Sequence, residues 1–138
     1  MAMRVFPWGT VRNTLKGVTL ILGRGIQADM SAVAANDMAD WIDKPTISYN
    51  SMFTTGSPMG DLCFEWDPPV LTPTAHSILK IGYGSWMSIA PGVVPILLSR
   101  AESLELAEAL RFVAKSAQTT NVVQATPSLR LTPIRNAP

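Results

Sequence analysis

Between Gly60 and Pro69 the chain reads GDLCFEWDPP, and its side chains alternate in character. Leu62, Phe64 and Trp66 fall on one side of an extended segment, with Asp61, Cys63, Glu65 and Asp67 on the other. A strand written this way needs an apolar cover on one face and water on the other. Pro68 and Pro69 end it, because neither can donate to a ladder.

Two amphipathic helices supply a cover. Over 30–42, Met30, Val33, Ala34, Met38, Trp41 and Ile42 recur at helical spacing. Asp29 or Ser31 can cap that helix, and Lys44-Pro45 stops it. Over 100–118 the signal is stronger. Ser99 followed by Glu102 forms an S-x-x-E capping box, in which hydroxyl and carboxylate each accept the other residue's amide. Leu104, Ala107, Leu110, Ala114 and Ala117 make an apolar stripe, widened by Leu106 and Val113. Glu102, Glu105 and Glu108 precede Arg111 and Lys115, the order a helix dipole favours. The small alanines let this helix lie close to a sheet.

The remaining strands are short. GVTLIL (17–22) is a continuous apolar run, and TISYNSMF (46–53) alternates. SILKIG and SWMSIA flank YG as a hairpin would, with Gly82 and Gly84 free to take positive φ. VVPILL (93–98) carries Pro95, which suits an edge or an early strand position. Residues 54–60 and 70–76 read as loops. Residues 1–16 show no clear period, and Pro7 and Gly9 break any early element. The expected fold class is α+β: a mainly antiparallel sheet of about five strands, two helices packed on one face, and an extended C-terminal arm. The expected organisation is one domain over 1–118, with the arm over 119–138.

Charge is sparse and uneven. Charged residues are 15% of the chain, against roughly 25% in an ordinary soluble domain. Neutral surface of that extent invites a covering partner. Residues 1–28 carry Arg4, Arg12, Lys16 and Arg24 and no acid. All the acids lie in 29–108, and residues 109–138 carry Arg111, Lys115, Arg130 and Arg135 with no acid. Basic ends of this kind can lie on the chain's own acidic middle, on a neighbour's, or on phosphates. In the last section Val122, Val123, Leu129, Leu131 and Ile134 are too many apolar residues for a free polar tail. Such an arm lies on its own domain, pairs with a sheet edge or reaches another subunit.

The chemistry-bearing residues are few. On one strand face, residues two apart are about 7 Å from each other. That spacing suits a catalytic carboxylate pair, but it belongs to any amphipathic strand. The chain has one cysteine, Cys63, and one histidine, His76, so a nucleophile–base pair or a triad would have to use them. LGRGIQADM offers Gly23, Gly25 and Ala28 in a G-x-G-x-x-[GA] pattern after a strand, with Asp43 placed like a ribose-binding acid. A second βαβ unit does not follow, and a tight turn alone accounts for the glycines. Four basic residues in each terminal section are spread out, without a cluster or an RNP-like aromatic run, so nucleic acid ranks below protein as a partner.

A single cysteine cannot form an internal disulfide, which suits a reducing compartment. The apolar runs are too short or too interrupted to span a bilayer, and no signal-peptide h-region precedes Pro7. A cytoplasmic or virion-associated location is expected, with no cofactor and no metal. The function expected is that of a non-enzymatic assembly or interaction subunit, of the general composition of virion and mobile-element structural proteins. It would contact copies of itself or a larger partner through its basic termini. In that reading Leu129, Leu131 and Ile134 bury on a neighbour while Arg130 and Arg135 meet Asp61, Glu65 or Asp67. The alternatives are a monomeric inhibitor or regulator docking through the acidic strand face, and a small nucleotide-binding enzyme using the 23–28 loop.

Overall fold

The computed structural model describes residues 2–15, 17–23, 25–43, 52–57, 60–67, 74–85, 88–90, 92 and 94–125. The fold is α+β, with antiparallel pairing throughout the described strands. The strands form two sheets where one of about five strands was expected.

The first sheet is a meander in the order β1 (Met3–Phe6), β2 (Gly9–Thr14), β3 (Gly17–Leu22) and β4 (Ile26–Met30). The second runs β5 (Met52–Thr55), β6 (Leu62–Asp67), β7 (Ile78–Ser85) and β8 (Ser88–Ile89), and β9 (Ile96–Leu98) also pairs with β7. The helices are α1 (Ala32–Asp43) and α2 (Arg100–Ala125).

The N-terminal section, which shows no clear period in sequence, is therefore a hairpin. Pro7 and Trp8 form the turn between β1 and β2, and Phe6 pairs with Gly9 across it. Ala2 is tied in as well: its amide donates to Asn13 Oδ1 at 2.6 Å, and the Asn13 amide donates to the Ala2 carbonyl at 3.1 Å. Gly9 is required by the approach of β3, since a Cβ there would strike the Ile21 carbonyl oxygen. Arg4 and Arg12 are strand residues of this sheet.

Residues 26–30, placed partly in a helix from the sequence, form β4. The register sets Ile26, Ala28 and Met30 on the inner side opposite Leu22, Leu20 and Val18. Gly23 (φ 29°) and Gly25 (φ 90°) belong to the β3–β4 hairpin turn, which the Gly25 amide closes on the Leu22 carbonyl at 2.9 Å. The G-x-G pattern thus joins two antiparallel strands, and the strand-to-helix context that a dinucleotide fingerprint needs is not formed here. Helix α1 starts at Ser31, whose hydroxyl accepts the Ala34 amide at 3.0 Å.

The capping box is formed as expected. The Ser99 amide donates to Glu102 Oε1 at 2.9 Å, and the Glu102 amide donates to Ser99 Oγ at 3.1 Å. Helix α2 continues to Ala125, so residues 119–125 are helical and not part of an extended arm. The segment 126–138, with the rest of that expected arm, lies outside the described residues, as does 46–51 of the strand expected at 46–53.

Helix α1 is rotated from the stripe read in sequence, whereas the α2 stripe is buried except at Leu104. Val33 is exposed, while Ala32, Ala35, Met38, Ala39 and Ile42 are buried. On α2, Leu104 is 40% exposed and Ser103 is fully buried, together with Leu106, Ala107, Leu110, Val113 and Ala114. Burial of Ser103 is tolerated because its hydroxyl donates to the Arg100 carbonyl at 2.7 Å. Alanines on both helices (Ala35, Ala39, Ala107, Ala114) let the two pack closely on each other.

One buried cluster joins both sheets and both helices. Helix α2 lies over the inner face of β1, β2 and β3 and also meets β7 and β9. Trp41 of α1 packs on Trp66 of β6 and Phe53 of β5, each at 5.8 Å between ring centroids. Leu62, Phe64 and Trp66 are buried, as their alternation required. The helix pair thus serves two sheets, not one face of a single sheet. At its junction, Arg100 lies over the Trp66 ring at 5.4 Å and donates to the Ile42 carbonyl at 2.8 Å, holding the end of α1 to the start of α2.

Candidate interaction surface

The outer face of the second sheet carries the acidic row. On β6, Cys63, Glu65 and Asp67 point away from the core residues Leu62, Phe64 and Trp66, and Asp61 is exposed just before the strand. Register brings a cation to them. Glu65 pairs with Lys80 of β7, and Lys80 Nζ stands 3.7 Å from Glu65 Oε1 and 3.9 Å from Asp67 Oδ2. Lys80 pairs in turn with Leu97 of β9, which is 56% exposed. Asp67 pairs with Ile78, 38% exposed. The surface therefore mixes three carboxylates, one ammonium and two uncovered aliphatic side chains. Lys80, Ile78 and Leu97 were not singled out in sequence, because only the strand register places them beside Glu65 and Asp67.

Cys63 lies on this face but is fully buried, opposite Gly82 and Thr54. Burial pushes its thiol above the usual range, the Thr54 contact acts against this, and the carboxylates of Glu65 and Asp61 add to it. A thiol so placed is a poor nucleophile. His76 is exposed in the turn closed by the Thr74 amide on Ser77 Oγ at 2.9 Å. About 13 Å of strand separates Gly82, opposite Cys63, from Ile78, and His76 lies beyond that. The two residues do not converge. Among the described residues, no group of three His, Cys, Asp or Glu side chains is placed to hold a metal ion.

Among the described residues, Arg111 joins the basic C-terminal section to the acidic middle of the same chain. Arg111 of α2 donates to Asp40 Oδ1 at 2.9 Å and to Asp43 Oδ2, both on α1. These contacts, with Asp40 foremost, hold the guanidinium above its ordinary range. Asp40 and Asp43 are thus engaged by α2. At the N-terminal side Arg4 stands over the Phe112 ring at 3.9 Å. Of the expected interaction residues, Asp61, Glu65 and Asp67 share one face. Leu129, Arg130, Leu131, Ile134 and Arg135 lie outside the described residues.

A second polar row crosses the outer face of the first sheet, in the register Arg12, Thr19, Asp29. The Thr19 hydroxyl donates to Asp29 Oδ1 at 2.7 Å, and Gln27 Nε2 reaches the same carboxylate at 3.3 Å. These residues floor an open hollow beside Leu15.

The molecule is an α+β protein in which a helix pair joins two antiparallel sheets. No family model, no curated protein and no solved structure matches the chain. Among the described residues, no helix is long and apolar enough to cross a membrane.

Proposed function

We propose that this chain is a non-enzymatic assembly subunit that contacts copies of itself. One observation carries the reading: aliphatic side chains stand exposed on strands at the outer margins of both sheets. Met3 and Val5 on β1 are 53% and 68% exposed, and Leu97 on β9 is 56% exposed. Single exposed aliphatics are ordinary, whereas exposed ones along an edge strand are a template for another chain. The low charge of the sequence supports the same reading, because charged residues are what normally guard such edges. Apolar contact would supply most of the affinity, at about 25 cal/mol per Å² before ordering costs. Multi-angle light scattering across a concentration series tests it. Mass should rise to a multiple of the 14.9 kDa chain. A protein that stays monomeric throughout refutes the reading.

The second reading is a monomeric regulator that docks on a different protein through the acidic face. It is favoured by the exposure of Asp61 and Asp67, which Lys80 neutralises only in part. A constant monomer mass together with capture of one heterologous partner, lost in Asp61→Lys/Asp67→Lys, would support it.

A further inference from the structure

We infer that the outer face of the first sheet packs on the same face of a second copy, about a twofold axis. The inference rests on the assembly reading above and names the surface that makes the contact. Strand register lays two rows across this face. The first is Met3, Arg12, Thr19, Asp29, and the second is Val5, Thr10, Ile21, Gln27. The alternate residues Val11, Leu20 and Ala28 are buried on the other side, in the core. Met3 and Val5, which carry the assembly reading, therefore belong to a broad face, with Ile21 half-buried near its centre and Leu15 exposed at its end. The two rows hold one cation and one anion, Arg12 and Asp29.

Charge decides what can cover such a face. A covering surface takes Arg12 out of water, and a guanidinium so covered needs a carboxylate. Among the described residues, no ion pair reaches Arg12. All ten acids of these 138 residues lie among the described ones, and of those Asp29 alone is on this face. The segments outside the described residues hold no acid, so none of them can balance Arg12. Another molecule has to bring the carboxylate.

A second copy brings it by symmetry. Arg12 on β2 and Asp29 on β4 flank Thr19 of β3 in one row. Neighbouring strands are about 4.8 Å apart, so the two charges stand about equally far either side of β3. A twofold axis along β3, midway between the facing sheets, lays β2 of each copy over β4 of the other. Arg12 then faces Asp29, Thr10 faces Gln27, and Thr19 and Ile21 each face their own counterparts. Cation meets anion, hydroxyl meets amide and aliphatic meets aliphatic, while Met3 and Val5 border the overlap on the β1 side. Stacked sheets lie about 10 Å apart, a gap that an arginine and an aspartate close between them. Asp29 keeps an acceptor site for this bond. Its Oδ1 takes the Thr19 hydroxyl, but among the described residues Oδ2 is touched by Gln27 Nε2 alone, at 3.3 Å. Such a contact is isologous and closes on itself as a dimer.

Charge exchange tests this, read by light scattering across a concentration series. Arg12→Glu and Asp29→Arg each set like charges face to face, and each alone should self-associate at least about ten-fold more weakly than the parent chain. The double variant Arg12→Glu/Asp29→Arg should recover the dimer. A mixture of the two single variants should recover it too, because both facing pairs are then opposite in sign. Ile21→Lys, which sets two ammonium groups beside the axis, should leave a monomer. Circular dichroism and urea midpoints check that each variant is folded. If Asp29→Arg does not fold, Arg12→Glu and Ile21→Lys decide the matter without it. If those two associate as tightly as the parent, this face is not the contact, while the assembly reading stands. If the single variants weaken but neither the mixture nor the double variant recovers, the twofold pairing is wrong. If the parent chain is monomeric at every concentration, the assembly reading fails with it.

Discussion

Gly17 opens β3 at a φ of 138°, and a Cβ there would run into the Met30 carbonyl oxygen of the neighbouring strand. Both the backbone conformation and the space reserve the position for glycine. Gly17→Ala should cost about 1–3 kcal/mol, read as a lower urea midpoint. Gly25 also has positive φ, at 90°, but nothing lies within 4 Å of an added methyl. Gly25→Ala should therefore cost less, about 1 kcal/mol. Cys63 makes a second residue-scale prediction. Its folded thiol is pushed up by burial, so the unfolded chain gives up the proton first as pH rises. Stability is then fully present below the unfolded thiol value, about 8.5, and falls as pH rises from there toward the folded value. Denaturation between about pH 7 and 10 should show this decline, and Cys63→Ala should reduce it. Neither feature was legible in sequence: Gly17 looked like any glycine before a strand, and Cys63 like a member of a wet row.

The start of α2 shows what local sequence can specify. Ser99 and Glu102 satisfy each other's amides without help from the rest of the molecule, so the motif and the bonds agree. Ser99→Ala should cost about 1 kcal/mol of stability, since it leaves the Glu102 amide without its hydroxyl partner. The buried face of the helix was legible too, except at its first turn. Hydropathy favoured Leu104, yet Ser103 takes the inward position because it returns its hydroxyl to the Arg100 carbonyl. Paired substitutions separate these faces: Leu110→Ala should cost about 2–5 kcal/mol. Leu104→Ala, at 40% exposure, should cost less than about 1 kcal/mol. The β1–β2 hairpin was missed for a related reason. Pro7 and Gly9 break a long element, but at the tip of a hairpin they shape the turn that makes two short ones.

Across the whole molecule, the helix pair sits in one buried cluster with both sheets, which predicts one cooperative unit. The slowest-exchanging amides of β3 and β7 should report the same opening free energy in native-state hydrogen exchange. Two separate values would mean that the sheets unfold independently. The Arg111 contacts to Asp40 and Asp43 tie α1 to α2 at the surface of this unit, and exposed pairs of this kind add little to it. Sequence alone determined the α+β class, the half-buried strand at Leu62–Asp67 and the capped start of α2. Each is written in neighbouring residues, as a period of two or as a side chain within reach of a nearby amide. Tertiary structure decided that Ile26–Met30 is a strand, that the described strands form two sheets, which stripe of α1 is buried, and that Lys80 stands among the carboxylates. Those outcomes depend on partners distant in the chain, where the free energy of burial and pairing exceeds any local preference.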